Sequence, residues 1–450
     1  FALRNKEKII EIDVINNRVL ANSIETRPMV CFIENDIIKL ICPTQGPVKL
    51  AEEICKSLNL DLSKFQLLTR DVGGGFGFKI FTYPEQICLV WATLKLKNMV
   101  RWDQSRSECF ISDLHGRDNR SKARAVIDKN GKIKALDVEV HANLGSWLSN
   151  MSIFIPTHSA CRTLTGPYDI KTARMRVKGV ITNTPAIDAY RGAGRPEANY
   201  LLERLIDHIA FEMNLDRVEV RKINLIKSEQ IPYEMVKGGI VDSGNMTGLL
   251  NYALKKSDWN GFNERKEISN KRGKHRGIGI AMYLEACGGG SDGGIKIKFS
   301  KDGNVDIYAA QQDNGQGHKT TLTQIFSSVL GYNADLINVI QGDSQSTPRG
   351  VTGGAKMSAV LGSTVFEASK IILQKAIIKS AELLNSKENE ISFEDGIFKT
   401  NISNKTIRIE ELVNILVDEN SEHPFNIVHQ YTPKGYSYTY GCHIVETEID

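Results

Sequence analysis

The chain has 450 residues, 41% of them hydrophobic, and a formal net charge of +4, enough for about two or three domains with sizeable cores. So small a charge gives no case for nucleic-acid binding, and no uninterrupted apolar run is long enough to span a membrane. The eight cysteines are scattered with no Cys-x-x-Cys pair, which argues against a zinc or iron–sulfur site in this chain and fits the reduced thiols of a cytoplasmic protein.

Helical and strand-like stretches alternate along the whole chain. Pro47 to Leu60 places Leu50, Ile54 and Leu58 at helical spacing. The segment Ile127 to Val140 reads as a hairpin around Asn130-Gly131. Pro196 suits a first helical position, and Leu202, Leu205, Ile206, Ile209 and Met213 then form one apolar face. A second hairpin is expected over Ile295 to Tyr308 around Asp302-Gly303, and a third helix over Gly362 to Leu384. His443 to Asp450 alternates like a strand and ends without a turn, so the chain is expected to be an excerpt of something longer.

The mixture predicts an α+β fold with two mixed α/β subdomains. Between about Lys222 and Arg276 the sequence turns charged and less periodic. The expected division is 1–235 for the first subdomain, 236–275 for a linker, and 276–450 for a second, C-terminally incomplete subdomain. The basic run Asn270-Lys271-Arg272-Gly273-Lys274-His275-Arg276 reads as solvated linker.

Five separate glycine-rich turns stand out. They are Asp71 to Phe78, Ala189 to Pro196, Cys287 to Gly294, Asp313 to His318 and Val351 to Ser358. Glycine costs conformational entropy, so such clusters need either positive φ or close approach of backbone to a ligand. Consecutive N–H groups in these turns make nests for anions, and a helix starting just afterwards adds to the attraction. Any one of them is a weak signal. A dinucleotide-binding reading fails, because the first turn lacks the final glycine and no compact βαβ unit follows. Several loops converging on one large phosphate-bearing ligand account for the set.

The string Asp71-Val72-Gly73-Gly74-Gly75-Phe76-Gly77-Phe78, followed by Tyr83-Pro84-Glu85, Arg101-Trp102-Asp103 and Asp113-Leu114-His115-Gly116-Arg117-Asp118, resembles the molybdopterin-binding subunit of molybdenum hydroxylases. These include xanthine dehydrogenases, aldehyde oxidoreductases and aerobic carbon monoxide dehydrogenases. Ala189-Tyr190-Arg191-Gly192-Ala193-Gly194-Arg195-Pro196-Glu197 is similar to the family's second signature, and Gly315-Gln316-Gly317 and Thr352-Gly353-Gly354 to its third and fourth. The matches run in family order over nearly the whole chain.

The resemblance implies the molybdenum-cofactor-binding fold of the xanthine dehydrogenase and aldehyde oxidoreductase type. It implies a molybdenum ion held by a pterin dithiolene, with or without a cytosine dinucleotide extension, and no direct protein ligand to the metal. Carried over, Gly75, Phe76 and Gly77 would present backbone towards the metal centre and Arg191 would lie in the loop beside it. Gln316, between Gly315 and Gly317, would hydrogen-bond the pterin. Thr352, Gly353, Gly354, Ala355 and Ser358 would hold the pterin and its phosphate side. His115, His318 and Cys287 are expected to be structural or merely nearby.

The family reaction hydroxylates a carbon with oxygen from water, using a glutamate as general base. Two electrons then leave through [2Fe–2S] clusters to FAD or another acceptor. The resemblance therefore implies iron–sulfur and FAD partner subunits or domains, and further N- and C-terminal parts of this subunit. That glutamate would lie beyond Asp450, so no catalytic residue is assigned within these 450 residues.

Departures from the family narrow the substrate. Purine-oxidising members carry a glutamate where Ile80 stands and a phenylalanine where Ala193 stands. Their substrate-binding arginine falls near Ser159, with Arg162 close by. Without those contacts a purine is not expected. Carbon monoxide enzymes hold copper through a cysteine directly after the arginine, where Gly192 stands here, so no second metal is expected. An aldehyde or a nitrogen-heterocycle carbon is left as the target, with the aldehyde slightly preferred. Two alternatives are kept: a non-catalytic molybdopterin scaffold or carrier, and an NAD-linked dehydrogenase.

Overall fold

A computed structural model describes residues 7–237, 239–289, 293–418 and 421–450. They form two compact units, each built from non-contiguous stretches. The first takes Phe1–Ala21, Ser112–Cys287 and Tyr436–Asp450; the second takes Asn22–Ile111 and Gly288–Gly435. The boundaries between units therefore fall at residues 21–22, 111–112, 287–288 and 435–436, outside the 236–275 stretch.

In the first unit a four-stranded sheet runs in the order Lys8–Asn16, Asn119–Ile127, Ile133–Gly145, Ala173–Ile181. The first three strands are antiparallel and the last is parallel to its neighbour. The hairpin expected at Asn130-Gly131 joins the second and third strands, with Gly131 at φ +84°. Alternation explains the sheet's sidedness: Ala123 and Ala125 are buried while Lys122 and Arg124 face solvent. The helix Arg195–Glu212 starts one residue before Pro196 and buries Leu202, Leu205, Ile206 and Ile209 in the core under this sheet.

The segment expected as a linker is structured instead. It holds the helices Met246–Lys256 and Phe262–Lys271, the first capped by the Asn245 side chain accepting from the Gly248 N–H. The basic run is also engaged. Arg276 pairs with Glu446 and Glu448 at 2.6 Å each, and Arg272 with Glu448 at 2.7 Å. Glu446 and Glu448 lie on the strand Tyr436–Ile449, which pairs with His275–Gly288.

Among the described residues the second unit holds a small three-stranded sheet of Ile391–Glu394, Ile397–Thr400 and Thr406–Arg408, and two four-stranded sheets with separate cores. One orders Phe65–Leu68, Ile37–Ile41, Met29–Glu34 and Val100–Trp102, packed against the helices Pro47–Leu58 and Pro84–Leu96. The other orders Ile337–Ile340, Val305–Ala309, Ile295–Phe299 and Ile427–His429, packed against His318–Leu330 and Ser363–Leu384. The hairpin expected at Asp302-Gly303 joins Ile295–Phe299 to Val305–Ala309. A main-chain bond from Thr69 N–H to Gly342 O, 2.7 Å, ties the ends of the two sheets together. Among the described residues no helix is long and apolar enough to cross a membrane.

Candidate functional site

Three of the five glycine turns meet in the second unit, and the side chain that joins two of them is Gln45. It is buried just ahead of the helix Pro47–Leu58. Its Oε1 accepts from the Gly77 N–H at 2.8 Å, and its Nε2 donates to the Thr352 carbonyl at 2.7 Å. The backbone repeats the link: Gln45 N–H reaches Lys79 O at 3.0 Å, and Thr352 N–H reaches Gln45 O at 2.8 Å. Gly75 is glycine because this amide lies against it; a Cβ there would sit 2.7 Å from the Gln45 side chain. Gln45 was not singled out from the sequence, although the Gly46-Pro47 pair just after it marks a helix start.

Around that bridge the first turn is firmly anchored. Lys79 is buried, and its ammonium holds the Glu25 carbonyl at 3.0 Å and carboxylate at 2.9 Å. Phe76 is 38% exposed, so it is not an ordinary core aromatic. Ile80 is half-buried, with its Cδ1 3.1 Å from where a Gly353 Cβ would be. Thr352 is buried and its hydroxyl donates to Gln312 O at 2.5 Å, which brings in the third turn. Gly354, Ala355 and Ser358 are exposed, at the entry to a helical run that begins at Met357 and continues as Ser363–Leu384.

The turn Asp313 to His318 departs from its expected role as an open nest. The Asp313 carboxylate already accepts from the N–H groups of Gly315, Gln316 and His318, all at 2.8 Å. Burial pushes the Asp313 carboxyl up, but those N–H groups outweigh it and hold it below the usual range. Gln316 is exposed, and its Oε1 accepts from the Asn314 N–H at 2.7 Å, within its own turn.

The open hydrogen-bonding capacity lies beneath that turn. Gln311 and His318 are fully buried, yet both amide atoms of Gln311 and Nε2 of His318 have no hydrogen-bond partner. Oε1 of Gln312, Oδ1 of Asn314 and Oε1 of Gln341 are likewise unpaired. His318 Nδ1 lies 3.1 Å from Gln341 Nε2 and 3.4 Å from the Gln311 carbonyl, which leaves Nε2 as the ring nitrogen without a partner. Burial pushes the His318 imidazole below its ordinary value, although Asp313 opposes the shift. Each such buried orphan costs about 1–3 kcal/mol, so the cluster calls for a polar guest.

In the first unit the turn Ala189 to Pro196 is held from two sides. Arg117 donates to the carbonyls of Tyr190 at 2.9 Å and Arg191 at 2.7 Å, with its guanidinium 4.7 Å from the Tyr190 ring centroid. Ser159 donates its hydroxyl to Ala193 O at 2.5 Å, so these two predicted pocket residues are in contact. Gly194 allows this: its φ is +90°, and a Cβ would lie 2.3 Å from Ile155 O. The Arg191 side chain is exposed. Phe76, Ala193 and Ala355, one in each of three turns, have φ of +55°, +39° and +54°, strain of the kind that gathers at functional sites.

Within the remaining turn, residues 290–292 lie outside the described residues. Cys287 and His115 take structural contacts, the thiol 3.6 Å from the Thr439 hydroxyl and the imidazole Nδ1 3.2 Å from Arg18 Nη1. Among the described residues no group of three or more His, Cys, Asp and Glu side chains could hold a metal ion.

Two family models, both described as a molybdopterin cofactor-binding domain, match residues 2–225 and 252–450. Together they cover nearly all of the sequence, and the chain belongs to this family of molybdopterin cofactor-binding proteins. It is 28% identical over 441 residues to the carbon monoxide dehydrogenase large chain of Hydrogenophaga pseudoflava, covering 93% of this chain and 54% of that one. It is also 28% identical over 412 residues to the nicotine 6-hydroxylase large subunit of Paenarthrobacter nicotinovorans, covering 88% and 50%. The solved structure of reconstituted CO dehydrogenase from Oligotropha carboxidovorans superposes with a TM-score of 0.91 at 26% identity, covering 99% of this chain and 59% of that chain. The chain thus spans about half the length of the curated relatives it matches.

The residues present fit such a cofactor. A pterin edge and a phosphate are dense in acceptors and donors, and the unpaired Gln311, Gln312, His318 and Gln341 atoms offer both.

Proposed function

We propose that this chain is the molybdenum-cofactor-binding part of a molybdenum hydroxylase acting on an aldehyde or nitrogen-heterocycle carbon, with electrons passing to iron–sulfur and FAD partners. The observation that carries the reading is the cluster of buried, unpaired amide and imidazole atoms beneath the turn Asp313 to His318, next to the Gln45-linked turns. Bound there, the cofactor supplies a two-electron redox centre at which oxygen derived from water can be delivered to carbon.

The chain's own residues bind and orient. Gly75, Phe76, Gly77, Gly315, Gln316, Gly317, Thr352, Gly353, Gly354, Ala355 and Ser358 would hold the cofactor, with Arg191 in its own turn playing the same part. His318 Nε2 and the Gln311 amide would meet the cofactor's polar atoms in a site that excludes water. The metal would take no ligand from this chain, in keeping with the cluster's neutral amide and imidazole character.

Ile80, Ser159 and Ala193 support a neutral, roomy substrate pocket. None can offer a charge to a purine, and a methyl at Ala193 leaves room for a ring. Gly192 supplies no thiolate for a second metal. The nicotine 6-hydroxylase relative, whose name specifies a heterocycle, favours the heterocycle arm.

Protein isolated from its native host should contain about one molybdenum per copy, with iron on a co-purifying chain, by elemental analysis and mass spectrometry. Folded native protein without molybdenum would overturn the reading and promote the scaffold or NAD-linked alternatives.

A further inference from the structure

A cavity in the first unit is unconnected with any residue assigned above to the cofactor. It has a volume of about 280 Å³ and is enclosed by three stretches of that unit. One follows the helical turn Ile155–Ser159, the second lies on the edge strand Ala173–Ile181, and the third follows the short strand Tyr233–Glu234. Its apolar wall is Leu164, Met175, Met235 and Val236, and its two charged residues are Arg162 and Lys237.

Among the described residues no carboxylate lines this cavity. Glu234, close in sequence, lines a neighbouring groove together with Lys171, and Lys171 is paired there with Asp169 at 3.4 Å. Among the described residues neither Arg162 nor Lys237 makes an ion pair. Arg162 instead packs against aromatic faces, its guanidinium carbon 4.1 Å from the Tyr436 ring centroid and 5.4 Å from that of Phe154. Such stacking fixes the plane of a guanidinium while leaving its N–H groups available for a planar anion.

Two cations at one recess with no counter-charge in its lining repel each other. Their field reaches buried neighbours. Burial pushes the Cys161 thiol up while Lys237 opposes it, and burial pushes the Tyr438 phenol up while Arg162 opposes it.

We propose that this cavity binds a small monocarboxylate with an apolar body, its carboxylate held by Arg162 and Lys237 and its body packed on Leu164, Met175 and Met235. A guanidinium and a carboxylate match as planar forks, and the ammonium adds a point charge. The volume suits a single ring with a short side chain, at the lower end of small-molecule sites. The proposal does not rest on the molybdenum reading, because it needs neither cofactor nor turnover.

The test is calorimetric titration of the natively isolated protein at neutral pH with phenylacetate, and with phenylacetamide as its neutral counterpart. Phenylacetate should bind at least tenfold more tightly than the amide. Lys237→Gln, at an exposed position that will not disturb folding, should weaken phenylacetate three- to tenfold, and Arg162→Gln tenfold or more. Equal binding of acid and amide, no binding of either, or phenylacetate affinity unchanged in Lys237→Gln would overturn the proposal. Molybdenum content is measured separately on the same samples, so failure here and failure of the cofactor reading are distinguishable.

Discussion

The Gln45 side chain donates to the carbonyl of Thr352, 307 residues downstream, while accepting from the N–H of Gly77. One buried amide thereby sets the spacing of two glycine turns. Gln45→Ala should leave two backbone groups unpaired in a buried setting, costing about 2–4 kcal/mol from the desolvation of both. It should also lower bound molybdenum per protein. Gln45→Glu should do nearly as much harm, because a carboxylate cannot donate to Thr352 O. Thermal unfolding and elemental analysis of both variants check this, and wild-type metal content in both would refute it.

His318 gives a pH dependence whose sign follows from its burial. Its folded value is depressed below the ordinary 6.5, so the unfolded chain binds the proton more readily. The contribution to stability is complete above about pH 6.5 and is lost as pH falls from there towards the folded value. His423, buried in the same unit and also depressed by burial, adds to the same loss. Apo-protein melting temperatures from pH 7.5 to 5 should therefore fall, and His318→Gln should fall less steeply. Identical slopes for the two proteins would rule out the His318 contribution.

The first unit also carries a buried charge network. The Arg221 side chain is fully buried, 2.8 Å from Glu203 and 2.9 Å from Asp207, and Tyr168 donates its hydroxyl to Glu203 at 2.5 Å. Burial disfavours the Arg221 charge, but Glu203 and the other acids outweigh it and hold the guanidinium above its usual range. Arg221→Met would strand Glu203, so a loss of about 3–5 kcal/mol is expected from breaking a buried pair. Denaturant titration measures it. A loss below about 1 kcal/mol would mean that water reaches the site and the network is not dry.

Much of this architecture is legible in sequence where local chemistry decides it. Pro47 and Pro196 mark helix starts, Asn130-Gly131 and Asp302-Gly303 mark hairpins, and the glycine turns mark the candidate site. Interleaving of the two units is not legible, because nothing local tells residues 22–111 to condense with 288–435. The helices at Met246–Lys256 and Phe262–Lys271 were hidden by weak periodicity. The second is held from outside by Arg265, which bonds Glu446 far along the chain at 2.8 Å. At the site, the turn pattern suggested an open nest at Gly315 to Gly317. The sequence could not show that Asp313 fills it and that the open valences lie on Gln311, Gln341 and His318. Those side chains are ordinary polar residues until burial is known.

Arg117 tests whether the second turn must be held rigid. Its guanidinium bonds two successive carbonyls, Tyr190 and Arg191, and lies 3.5 Å from the Glu197 carboxylate. Arg117→Met removes both carbonyl bonds and leaves Glu197 buried without its cation, whereas Arg117→Lys can restore only one. Limited proteolysis between Tyr190 and Arg195 should be faster in the methionine variant by at least tenfold, with lysine intermediate. Equal cleavage rates in all three proteins would show that Ser159 alone fixes the turn.

The substrate reading stands or falls on Ala193. Its carbonyl is anchored by Ser159 and its φ is +39°, a strain that any residue other than glycine shares, so a larger side chain adds little backbone cost. Ala193→Phe should fold normally, since the position is only half-buried. Its ring would take space that the proposed pocket leaves for a substrate ring. In the assembled enzyme, kcat/KM for a bicyclic heterocycle such as quinoline should fall at least tenfold, about 1.4 kcal/mol of transition-state binding. A small aldehyde such as acetaldehyde should be nearly unaffected. Xanthine should not be turned over by the parent protein, because Ile80 and Ser159 bring no charge to its polar edge. Equal loss for large and small substrates would place Ala193 outside the pocket and make its effect one of turn geometry alone.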